Sequence, residues 1–174
     1  MSGSGPDPEF DFTSSWQLST GLETVWETLV DFHSWPRWWP ALESVEETSP
    51  GGPDGIGQSA KSVWHGPLGY RLGFEIETIE RVHPNLLKGK ASGELSGTGT
   101  WHLSPVTEAG GSGPEWTRIV YQWRVVVSKR WMRFLNPVAR PVFVYSHDHV
   151  MKKGAEGMAE YLGCEIRDFS AESG

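Results

Sequence analysis

The sequence lacks the marks of a disulfide-stapled, membrane-spanning or nucleic-acid-binding chain. It holds one cysteine, Cys164, so no internal disulfide can form. Cys164 follows the last helical segment and reads as a spare thiol. No stretch of about 18 apolar residues occurs, and the N terminus carries no apolar signal region. A soluble, cytoplasmic protein without stable membrane insertion is the expectation. Fifteen Lys and Arg against 22 Asp and Glu leave a net charge of −7, and the cations form no stripe. Phosphate neutralisation needs clustered cations, so no nucleic-acid partner is expected. No GxGxxG, Walker loop, GxSxG or HExxH is present. The six histidines show no ligand spacing. His147 and His149 diverge by about 200° on a helix. Neither a metal site nor a cofactor is expected.

Tryptophan, by contrast, is abundant, with 10 in 174 residues. A large aromatic side chain buries roughly 150–250 Å². Ten exceed what one core of this size needs, so some should line a cavity or an interface.

Periodicity divides the chain into strands and helices. Phe10, Phe12 and Trp16 alternate along a first strand, 10–18. Leu22, Val25, Trp26, Leu29 and Val30 recur at helical spacing, predicting a helix over 21–32 capped by Ser19 or Thr20, with Glu23 in the capping-box position after Thr20. Pro36 and Pro40 bound a second short helix or turn. Its Trp35, Trp38 and Trp39 should plug the helix against one end of the sheet. Six strands follow, over 42–48, 56–65, 70–82, 86–93, 99–103 and 117–127. In the clearest, Tyr70, Leu72, Phe74, Ile76 and Thr78 share one face, while Arg71, Glu75, Glu77 and Arg81 share the other. The glycine-rich run 93–97 reads as a tight corner. A short helix over 130–135, interrupted by Pro137 and Pro141, leads into a long helix ending near Leu162. Strand runs segregated from helices predict an α+β fold: a curved antiparallel seven-stranded sheet wrapped around the C-terminal helix. One domain is expected over 10–163, between flexible tails at 1–9 and 164–174.

On the long helix, Phe143, His147, Val150, Gly154, Met158 and Tyr161 fall on one face. Asp148, Lys152 and Glu156 point away. Glycine inside a helix costs roughly 0.5–1 kcal/mol relative to alanine. Gly154, with Gly157 nearby, therefore predicts a close approach, either by a bulky side chain such as a tryptophan or by a ligand. His147 is the titratable group on the inner face. In a dry pocket it is neutral and can bond a ligand or move a proton, or it can serve as a core histidine bonded to Tyr121 or a carbonyl.

These residues resemble the START-like (SRPBCC) superfamily, the helix-grip fold, in its polyketide cyclase/dehydrase-like branch. The resemblance rests on Val25–Trp26 with Trp35–Pro36 and Trp38–Trp39, on Gly55–Ile56–Gly57, on the run from Ala91 to Trp101, and on Ser146–His147 with Val150–Met151 and Gly154. It covers about residues 10–162. It implies a cavity between sheet and helix, and members that either bind lipids and aromatic metabolites or cyclise and dehydrate polyketides. It carries no catalytic residue over.

The leading expectation is a binding protein for a small hydrophobic molecule (aromatic, polyketide-like or lipid), as a monomer or homodimer. Trp64, Phe74, Trp101, Tyr121, Trp123 and His147 are the expected ligand-binding residues, with Tyr121, His147 and indole N–H groups setting orientation. One alternative is a polyketide cyclase or dehydratase with His147 as general acid/base. Another is an interaction module presenting Trp35, Trp38 and Trp39 as a surface patch.

Overall fold

A computed structural model describes residues 10–107, 110–127 and 136–174. The expected N-terminal tail and the short helix over 130–135 lie outside the described residues.

The strands are β1 (Phe10–Leu18), β2 (Leu42–Pro50), β3 (Gln58–His65), β4 (Arg71–Val82), β5 (Leu86–Gly93), β6 (Leu95–Val106), β7 (Trp116–Val127) and β8 (Ile166–Ser173). The helices are α1 (Leu22–Val30), α2 (Trp35–Trp38) and α3 (Asn136–Leu162), with a 3₁₀ turn over Phe32–Ser34. All neighbours pair antiparallel in the order β2-β3-β4-β5-β6-β7-β1-β8. The fold is α+β, a curved antiparallel sheet gripping the long α3. The strands alternate, with one face turned toward α3. Along β1 that face is Phe10, Phe12, Ser14, Trp16 and Leu18, all buried.

Several expectations need correction. The segment after Cys164 is not a flexible tail: β8 pairs with β1, giving eight strands instead of seven. Its Phe169 ring lies 6.2 Å from that of Trp16. Ser19 anchors the start of this strand, its Oγ accepting from the Glu165 N–H at 2.7 Å. Thr20 does not cap α1. Gly21 is the N-cap, without a side-chain cap bond, and Glu23 instead meets His83 Nε2 at 2.8 Å. Pro141 lies inside α3, where it withholds a single backbone donor. The corner between β5 and β6 is a single residue, Glu94, so β6 starts at Leu95 instead of Gly99.

On α3, Phe143, Gly154 and Met158 are buried as expected, but Tyr161 is 45% exposed. Met151, Ala155 and Ala159 complete the buried face instead. The close approach at the two glycines comes from α2. The Trp39 indole lies over Gly154, and the Trp38 carbonyl lies over Gly157.

The clearest strand changes parity near its end. A register shift between Thr78 and Glu80 inserts one residue into β4. Arg81, expected on the outer face, therefore turns inward with Leu72, Phe74, Ile76 and Thr78.

Candidate ligand cavity

Between the concave sheet, α1, α2 and α3 lies a cavity of about 160 Å³. A dry cavity of about 150 Å³ takes up benzene, so this one suits one or two fused rings.

Six aromatic side chains that border it form a closed circuit of ring contacts. Trp39, which caps the C-terminal end of α2, meets Trp64 edge-on at 4.8 Å between ring centroids. Trp64 stacks on Phe74 at 6.2 Å, and Phe74 neighbours Trp123 at 5.7 Å. Trp123 stacks with Tyr121 at 6.0 Å, and Tyr121 lies 4.2 Å from Trp101. Trp101 closes the circuit on Trp39 at 6.1 Å. Strand alternation explains the placement. Trp101 on β6 is the register partner of Tyr121 on β7, and the two share the inner face. A Cβ on Gly99 would collide with the Tyr121 hydroxyl and the Trp123 ring, so this glycine lets both rings lie across β6.

The walls are oriented by spent hydrogen bonds. The Trp39 indole donates to the Val150 carbonyl at 2.9 Å, tying α2 to α3. The Trp64 indole donates to Ser62 Oγ at 2.9 Å. That Trp64 donor is not available to set a ligand's orientation, contrary to expectation. On the lining, Ser146 Oγ and both ring nitrogens of His147 are buried without partners among the described residues. The Tyr70 phenol is raised by burial, opposed by the nearby Ser146 hydroxyl, although the two do not close a well-formed hydrogen bond. Burial pushes the Tyr121 phenol far above its ordinary range, so it stays protonated.

His147 lies flat on Phe12, with ring centroids 3.9 Å apart and planes 11° from parallel. Neither of its ring nitrogens bonds to Tyr121 or to a carbonyl. Burial lowers its pKa, and Asp148, with Oδ1 3.6 Å from Nδ1, opposes the shift. That separation is too long for a hydrogen bond. At neutral pH the ring is uncharged, with one N–H donor and one lone pair.

The lowered pKa sets a pH dependence. The unfolded chain keeps the ordinary value of 6.5, above the folded value. Below pH 6.5 the unfolded chain therefore binds more protons, and stability falls as pH drops toward the folded value. Each unit of pH across that window costs up to about 1.4 kcal/mol. Urea titrations at pH 7.5 and pH 5 should show this loss, and a His147→Phe variant should show a flatter profile.

All six residues expected from the sequence (Trp64, Phe74, Trp101, Tyr121, Trp123 and His147) border this one cavity. Trp39 and Ser146 were missed. The sequence offers Trp39 only as part of a plug or of a surface patch, and Ser146 lies one position off the predicted helix face. Trp35, Trp38 and Trp39 are all buried, so they form no surface patch.

Known proteins share this architecture. The Zhui aromatase/cyclase from Streptomyces sp. R1128 superposes with a TM-score of 0.70 at 14% identity, covering 88% of this chain and 93% of that one. A START superfamily protein from Mycobacterium smegmatis superposes with a TM-score of 0.68 at 14% identity, covering 87% and 96%. A conserved protein from Geobacillus kaustophilus gives 0.68 at 15% identity, covering 91% and 99%. At such identities the likeness establishes the fold. No curated protein matches the sequence. The family described as polyketide cyclase / dehydrase and lipid transport matches residues 9–163. With nearly the whole chain matched and the helix-grip fold in place, this protein belongs to that family.

Proposed function

We propose that the protein binds a small, flat, mostly apolar molecule inside the aromatic circuit and orients it through His147 and Ser146. The observation that carries this reading is the pair His147 and Ser146, buried without partners on a cavity lined mostly by apolar side chains. A buried polar atom without a partner costs about 1–3 kcal/mol. A ligand oxygen seated there recovers that cost, while the surrounding rings supply contact area and discriminate in favour of flat shapes.

Naphthalene is a suitable probe, since its binding needs the cavity and no polar contact. Intrinsic tryptophan fluorescence should change saturably with one equivalent bound. Ala60→Phe, which places a ring on the cavity wall, should abolish the response. An unsaturable response, or one equal in both proteins, would count against the cavity as a binding site.

A second reading is favoured by the neutral state of His147. An uncharged imidazole beside a bound ring can accept a proton from a ligand carbon and return it to a departing hydroxyl, as a cyclase or dehydratase requires. On this reading, substitution of His147 eliminates turnover while leaving apolar binding in place.

A further inference from the structure

Arg81 is the one permanently charged side chain bordering the cavity; no Asp, Glu or Lys borders it among the described residues. In a chain of net charge −7, a lone inward cation is a specific feature. From it we infer that the ligand is an aromatic acid, with its rings in the aromatic circuit and its anionic head on Arg81. This rests on the binding function proposed above and names the class of ligand.

Three observations carry the inference. The first is how Arg81 reaches the cavity. Strand alternation alone would send it outward, and the β4 bulge after Thr78 reverses it. The bulge is held by the 51–57 turn, whose Gly57 N–H donates to the Thr78 carbonyl at 2.8 Å. That turn also passes directly over the guanidinium. Gly55 has φ +81°, and a Cβ there would collide with an Arg81 Nη. The bulge, the turn and the glycine all act on one side chain.

The second is what Arg81 lacks. Its guanidinium carbon stands 5.5 Å from the centre of the Trp26 ring, a cation–π contact that fixes orientation and leaves the charge uncompensated. No carboxylate or carbonyl pairs with it among the described residues. The nearby carboxylate of Glu23 is engaged by His83, which itself packs edge-on against Trp26. A guanidinium presents a planar fork of donors, and a carboxylate fits that fork with two parallel bonds.

The third is distance. Arg81 is the register partner of Leu87, and Leu87 of Trp101. All three border the cavity, so Arg81 lies two strands from Trp101 of the aromatic circuit, about 10 Å between backbones. A bicyclic acid spans that gap.

The test compares 2-naphthoate with 2-naphthamide, its neutral counterpart of the same shape, by fluorescence titration at pH 7.5. The protein should prefer the acid by about tenfold or more. In Arg81→Met, which keeps a stem against Trp26, the preference should collapse to about one, and Arg81→Lys should retain part of it. Equal affinity of the native protein for acid and amide overturns the inference. So does a preference that survives in Arg81→Met. Should Arg81→Met not fold, the native preference and its reduction in Arg81→Lys decide the question. If naphthalene, 2-naphthamide and 2-naphthoate all fail to bind, the cavity reading itself falls, and this inference with it. If the first two bind and the acid is not preferred, only the role of Arg81 falls.

Discussion

His147→Phe is expected to make the empty protein more stable and its cavity less discriminating. Both imidazole nitrogens are buried without partners, next to the face of Phe12. Phenylalanine keeps the stacked ring and removes two polar atoms that give up hydration for nothing. The gain should be about 1 kcal/mol, the low end of the cost of one unpaired buried polar group. In a chain of this size that raises Tm by roughly 2–4 °C. The loss appears in recognition. The native protein should prefer 2-naphthol over naphthalene, because the hydroxyl reaches His147 or Ser146. In the variant that preference should shrink by about threefold to tenfold, the worth of one neutral hydrogen bond. A histidine with a structural role would give the opposite stability result, since replacing it would lower Tm.

Gly157→Ala is expected to destabilise the fold by about 2 kcal/mol, or roughly 4–8 °C in Tm. The sign is the informative part. Helix propensity alone favours alanine over glycine by about 1 kcal/mol, so an open position would be stabilised. Gly157 is not open: its Cβ would fall on the Trp38 carbonyl oxygen, with the Pro40 ring behind. Neither is a flexible side-chain tip that can swing aside. α2 must therefore move off α3, carrying Trp39 away from its bond to Val150 and out of contact with Trp64 and Trp101. The same variant should weaken naphthalene binding, because it opens the aromatic circuit. A stability loss without a binding loss would mean that Trp39 is not part of the site.

Much of this was legible in the chain, for physical reasons that also explain the gaps. Alternation along a half-buried strand is a strong signal, and it placed Phe74, Tyr121 and Trp123 inward, whereas the face of Trp101 depended on the length of the turn before it. Helical periodicity likewise put His147 on the gripped face. Alternation fails where a strand carries an extra residue, and the bulge after Thr78 hid Arg81 on the wrong face. It also fails where a strand is mostly polar. β8 reads IRDFSAES, has its one non-glycine residue of positive φ at Asp168, and is held by pairing to β1, with Phe169 on Trp16. Trp39 was seen but given only half its role. Its indole packs on Gly154 and at the same time joins the circuit through two other tryptophans, a double duty that depends on the angle between α2 and the sheet.

The most direct measurement is a crystal structure of the protein grown with naphthalene. The account predicts one bicyclic ring system enclosed by Trp39, Trp64, Phe74, Trp101, Tyr121 and Trp123, with His147 and Ser146 at its edge. A circuit collapsed onto itself, with naphthalene elsewhere on the molecule or absent, would contradict it.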